Sequence, residues 1–111
     1  MNDLDRKLAE GIMKWTPYRR DKVPKWLNYW NDERTGITVP ISEWKPSEKI
    51  EQAFVVVEKL FVDEGYRLAL QMTYREGRFG WLASFGASSE VFADTPAMAI
   101  CGACDKTLGA A

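Results

Sequence analysis

Between Gly65 and Tyr66 the periodicity of this chain changes, and that switch constrains its fold more than any other feature. Upstream, in Pro46–Gly65, the apolar residues Ile50, Ala53, Phe54, Val57, Leu60 and Phe61 follow a three-then-four spacing. That spacing places them on one stripe of a helix. Ser47 is the expected N-cap, Glu48 and Glu51 suit the positive end of the helix dipole, and Gly65 suits a left-handed stop. Downstream, Tyr66, Leu68, Leu70, Met72 and Tyr74 alternate with Arg67, Ala69, Gln71 and Thr73, the pattern of a strand with one apolar face. Arg75-Glu76-Gly77-Arg78 reads as a hairpin turn, and Phe79, Trp81, Ala83 and Phe85 mark the return strand. Gly86-Ala87-Ser88-Ser89 turns again before a short third strand, Glu90 to Ala93. Gly77, Gly80 and Gly86 are all read as turn glycines.

The ends of the chain are expected to supply more helix. Thr95 and Pro96 form an N-cap and first-turn pair that opens a helix to about Leu108, stopped by Gly109. Its buried stripe is expected to be Ala97, Ile100, Cys101, Cys104 and Leu108, and the small residues would let it lie close to a sheet or to a second subunit. At the front, Asp3 to Met13 reads as a short helix with Leu4, Leu8 and Ile12 on one face and Gly11 weakening its last turn. Trp15 to Pro24 reads as irregular. Trp26–Trp30 and Gly36–Ile41 are candidate strands of a hairpin, with Pro40 limiting the second to a sheet edge. Residues 1–111 thus read as a single α+β domain. Residues 1–45 hold the first helix and the irregular or hairpin region, and 46–111 a helix–meander–helix core. The expected architecture is an α/β/α-type sandwich, an antiparallel meander sheet with packed helices.

Several functions are disfavoured at this level. The 111 residues include no histidine, which removes the usual general base and the commonest zinc ligand. Glu48, Glu51, Asp63, Glu64 and Glu90 fall in caps, turns and polar faces, so an enzyme is not expected. Cys101-Gly102-Ala103-Cys104 spells C-x-x-C, but it lies inside the last helix rather than at its N-terminus, where a redox thiol is activated. Two small buried residues are the simpler reading. No phosphate-binding glycine motif is present, and neither a cofactor nor a metal site is expected. A net charge of −1 disfavours duplex nucleic acid as a partner. No apolar run approaches membrane-spanning length, and the charged opening M-N-D-L-D-R-K-L lacks the core of a signal peptide, which points to the cytoplasm.

One segment stands apart. Lys14–Trp30 reads K-W-T-P-Y-R-R-D-K-V-P-K-W-L-N-Y-W, and from Lys14 to Lys25 five cations stand against Asp21 alone. Cations interleaved with rings suit a ligand carrying both phosphate and base, because aromatic faces stack on bases while guanidinium forks clamp phosphates. Arg19, Arg20, Lys25, Trp26, Tyr29 and Trp30 are therefore the candidate ligand-binding residues. The competing reading is a solvated basic loop whose tryptophans plug the core.

Val56-Val57-Glu58-Lys59-Leu60, Gly65-Tyr66 leading into a strand, and Ala93-Asp94-Thr95-Pro96-Ala97-Met98-Ala99-Ile100-Cys101 together resemble the phage ABA sandwich domain family. The opening, Asp3 to Met13 followed by Lys14-Trp15, is similar as well. The resemblance implies an α/β/α sandwich and a phage or prophage origin, hence residence in the host bacterial cytoplasm. It implies no activity and no site residues. Joined to the basic, aromatic segment, it leads to the expectation of a non-catalytic protein, homo-oligomeric through its C-terminal helix. Such a protein would sequester a nucleotide-derived antiviral immune signal. The alternative is an inhibitor that docks on a host defence or replication protein. A metal-dependent phosphodiester hydrolase and a structural part of the virion are the remaining readings.

Overall fold

The computed structural model describes residues 3–18, 29–86 and 89–109. In chain order the elements are α1 (Asp3–Gly11), β1 (Thr16–Tyr18), β2 (Tyr29–Asn31), β3 (Thr38–Pro40), a single 3-10 turn (Ile41–Glu43), α2 (Ile50–Glu64), β4 (Ala69–Arg75), β5 (Arg78–Ser84), β6 (Val91–Ala93) and α3 (Pro96–Gly109). The strands form two antiparallel three-stranded sheets, ordered β1-β2-β3 and β4-β5-β6. This is an α+β sandwich, and the meander after α2 forms as its period-two alternation requires. Pro40 ends β3 on the edge of the first sheet, where its missing N–H breaks no ladder. The segment from Trp15 is not wholly irregular as expected, because Thr16–Tyr18 pairs with β2.

α3, rather than α2, is the element the other layers meet. On one side it lies over β5 and β6, and on the other it packs against α1 and α2. Thr95 caps it as expected, its hydroxyl accepting the Met98 N–H at 3.2 Å. The helix is buried on more than one stripe, since Ala99 and Ala103 are as fully enclosed as Ile100, Cys101 and Cys104. Side chains this small let backbones approach closely on both sides. A Cβ at Gly102 would sit 2.8 Å from Cγ1 of Val91, and one at Gly11 would sit 2.8 Å from Cδ1 of Leu108. Gly11 therefore gives α3 room, at the cost of a weaker last turn in α1. The small-residue stripe of α3 is thus used for contacts within the chain.

α2 is rotated from its expected orientation. Ala53, Val56 and Leu60 are buried, whereas Phe54 and Phe61 are exposed. The slim stripe is the one that fits against the alanine- and cysteine-rich α3, and the two rings are turned outward. Gly65 ends the helix with φ 74°, in the left-handed region as expected. Gly80 belongs to no turn. It is buried in β5, where a Cβ would meet the Ala93 carbonyl oxygen at 2.8 Å.

The start of α2 also differs. Ser47 is not the cap: Lys49 occupies that position and supplies no side-chain bond. Gln52 ties the helix to the preceding loop instead, accepting the Lys45 N–H at 2.6 Å and donating to the Glu43 carbonyl at 2.8 Å. Ser47 is drawn away by Asp5 in the first turn of α1. The Asp5 carboxylate accepts both the Ser47 N–H and its hydroxyl at 3.0 Å, and the Asp5 carbonyl accepts the Trp44 indole N–H at 3.0 Å. Asp5 and Ser47 are both buried. Asp5→Ala strands two buried donors, and a loss on the order of 3 kcal/mol is expected. Urea unfolding checks it, with Asp5→Asn retaining part of the difference and an unchanged midpoint counting against the bridge.

Candidate functional site

The segment singled out in the sequence divides in two. Arg19, Arg20, Lys25 and Trp26 lie outside the described residues. Tyr29 opens β2 and is half-buried, whereas Trp30 is only 2% exposed. β2 is the middle strand of its sheet, so alternation sends Trp30 inward while Tyr29 and Asn31 point the other way. Trp30 is thus a core residue and presents no face to a ligand, a correction to its candidacy. Trp15 is buried too, edge-on to Trp44 with ring centroids 4.6 Å apart. Among the described residues neither the Trp15 nor the Trp30 indole N–H meets an acceptor.

Lys14 goes the other way. It is exposed and has φ 60°, a left-handed backbone that costs a residue with a Cβ about 1 kcal/mol. The turn folds the Trp15 N–H back onto the Ala9 carbonyl at 3.0 Å, so the chain leaves α1 with Trp15 aimed inward and Lys14 outward. Lys14 borders a cleft of about 190 Å³ where α1, α2 and α3 end together. Lys59, Leu60, Asp63 and Glu64 line it from α2, Thr107 and Leu108 from α3, and Tyr66 from the exit of α2. Lys59 and Asp63 form an ion pair at 2.9 Å, both partly shielded from solvent. Thr107 turns its hydroxyl inward, donating to the Cys104 carbonyl at 2.6 Å. The cleft therefore offers one exposed ammonium, a second held by a carboxylate, and a half-exposed phenol.

Residues 59–66 and 107–108 were not candidates in the sequence, because nothing local connects them to Lys14. The i,i+4 spacing of Lys59 and Asp63 was the one legible signal. Among the described residues no group of three or more His, Cys, Asp and Glu side chains is placed to hold a metal ion. None of the described helices is long and apolar enough to cross a membrane.

Residues 6–104 match the phage ABA sandwich domain family. The chain belongs to that family. No curated protein matches it. Among solved structures, a phage protein from Bacillus cereus ATCC 14579 is similar over 96% of this chain and 88% of its own, with a TM-score of 0.57. At 22% identity that likeness speaks for the fold alone.

The C-x-x-C pair of this ABA sandwich protein lies inside α3, and both thiols are free and buried. Burial pushes the Cys104 thiol up to about 12. Cys101 is raised further, first by burial and then by the neighbouring Cys104 and Asp5. A thiol held protonated is neither a nucleophile nor a metal ligand at neutral pH. The raised values also link folding to pH. The unfolded chain loses its thiol protons near 9.0 while the folded chain keeps them, so stability is intact below about pH 9 and falls above it, by up to ~1.4 kcal/mol per pH unit for each thiol. Replacing both cysteines with alanine should flatten the alkaline limb of a Tm-versus-pH curve. Native protein should resist thiol reagents at pH 8 and react fully in denaturant, and rapid native labelling would contradict this burial.

Proposed function

We propose that this phage protein captures a host component without chemistry, and that capture centres on the cleft bordered by Lys14. The ligand class that fits is a nucleotide-derived antiviral signal in the host cytoplasm, held by its phosphate and ring. The observation that carries this reading is Lys14 itself. A cation occupies a left-handed position where glycine is favoured, and it faces Lys59 and Tyr66 across a cleft. Strain retained at an exposed charged residue is a reason to look for a ligand. In sequence, Lys14 also opens the run that continues to Arg19, Arg20 and Lys25. With no histidine in the chain and both thiols buried, binding asks less of these residues than catalysis does.

The size of the cleft sets a limit. At about 190 Å³ it is smaller than the ~300–1,000 Å³ common for small-molecule sites, so it takes a phosphate or a single ring and leaves the rest of the ligand outside. The same limit favours a second reading, in which the cleft seats one side chain of a host protein and the chain acts as an inhibitor.

Calorimetry against a panel of cyclic dinucleotides and cyclic ADP-ribose isomers tests the first reading. Lys14→Gly is the telling variant, since it removes the charge and relieves the left-handed backbone together. Affinity should fall at least ten-fold while Tm rises by about 4 °C. Asp63→Asn, which releases Lys59 from its carboxylate, should tighten binding of an anion several-fold. Absence of heat across the panel overturns the nucleotide reading, and a stoichiometric protein band in a pull-down from host lysate then supports the inhibitor.

A further inference from the structure

We propose that β4 is a dimerisation edge, at which a second copy of this chain pairs with the strand and makes the apolar surfaces beside it continuous. Among the described residues β4 pairs with β5 on one side only, so a seven-residue strand ends the sheet with no described partner for its outer backbone groups. Sheet edges are normally guarded by shortness, proline, lysine or an inward charge. The opposite edge, β6, is guarded by shortness, at three residues. β4 is less guarded: it carries no proline and no lysine, and its one charge, Arg75, sits at the hairpin end and is engaged by Glu90.

The surface next to this edge supplies a second, independent observation. Leu70, Met72 and Tyr74 share one side of the strand by alternation, and Tyr74 meets Phe79 across the hairpin with ring centroids 4.9 Å apart. α3 covers β5 and β6 on this side and leaves the hairpin end bare. Met72 is 66% exposed, Tyr74 59% and Phe79 73%. A shallow groove between α2 and the start of β4 continues the surface, lined by Phe54, Phe61, Tyr66 and Leu68. Phe54 is 47% exposed and Phe61 52%. With large side chains presenting ~150–250 Å² each, these five residues expose about 600 Å². That lies at the upper end of the ~300–600 Å² of the largest patch on a typical monomer, where such patches are often functional, and below the ~800 Å² that each partner gives a standard interface.

Two features select a second copy over a foreign partner. An edge strand paired antiparallel with itself about a two-fold axis near Met72 joins the two sheets into one six-stranded sheet and sets the two apolar surfaces side by side. The charges flanking the strand are complementary in that arrangement and in no parallel one. At the far end Arg75 and Arg78 are engaged by Glu90 and Asp94, each at 3.0 Å. Among the described residues this leaves Glu76 at one end of β4 and Arg67 at the other without ion-pair partners. Antiparallel pairing about Met72 sets Arg67 of each copy opposite the Glu76-Gly77 turn of the other, one residue from Glu76.

Sedimentation equilibrium of the full chain tests this without any ligand, so the outcome is independent of the capture reading. A mass twice the 12.7 kDa of one chain is expected at micromolar concentration. Met72→Lys and Phe79→Glu, both at exposed positions, should weaken association at least ten-fold with an unchanged circular dichroism spectrum. Arg67→Glu should weaken it, and adding Glu76→Arg should restore it. A monomer at every concentration overturns the proposal. A dimer indifferent to Met72→Lys overturns it equally.

Discussion

The close approach that α3 permits on both of its sides is the contact on which the rest of the molecule depends. A helix carrying alanine, glycine and cysteine along its length has little bulk to bury, yet it fills the space between a sheet and two other helices. Backbones come near enough that a single added methyl group at Gly102 or Gly11 would collide with Val91 or Leu108. Dispersion is the gain in such a layer, because many atoms sit at contact distance and few voids remain. The bulky rings Trp15, Trp30 and Trp44 belong to the same buried core, and Asp5 ties α1 to the loop before α2 by holding Ser47 and Trp44 through three hydrogen bonds.

That economy leaves apolar material over. A slim α3 spans β5 and β6 but not the hairpin end of β4, and it accepts only the narrow stripe of α2. Phe54 and Phe61 on the helix, and Met72, Tyr74 and Phe79 on the hairpin, are what the intramolecular packing did not use. The same geometry thus accounts for a tight interior and for a large exposed apolar surface beside a less guarded strand. A more polar cleft lies elsewhere, at the converging helix ends around Lys14, Lys59 and Asp63.

Family membership and site chemistry agree in what they leave unassigned. Belonging to the phage ABA sandwich family brings a fold and an origin, and the buried, protonated thiols of α3 act as packing rather than as reactive groups. The two proposals therefore rest on surfaces. One is a small cleft bordered by Lys14 and the Lys59–Asp63 ion pair, and the other is an apolar strand edge. Their chemistries are distinct, so each proposal stands or falls without the other.

The local signals in the chain were accurate wherever a single element determined the outcome. The switch in period at Gly65, the cap at Thr95, the hairpin around Gly77 and the edge position of Pro40 all follow from propensities and sterics within a few residues. Orientation was another matter. Which stripe of α2 turns inward depends on the girth of α3, forty residues away. Ser47 was readable as a cap only while Asp5 was unknown as a competitor for its hydroxyl. The candidate site divided on the same line. A run of cations and rings is visible in any listing of the sequence, but the inward turn of Trp30 depends on β2 being a middle strand. The cleft joins Lys14 to Lys59, Tyr66 and Thr107, which the chain keeps far apart. Sequence by itself determined the elements, since hydrogen-bonded backbone periodicity is a short-range property. Only the tertiary structure decided which faces were buried and which residues met, because burial is a contest among all the elements for one limited interior.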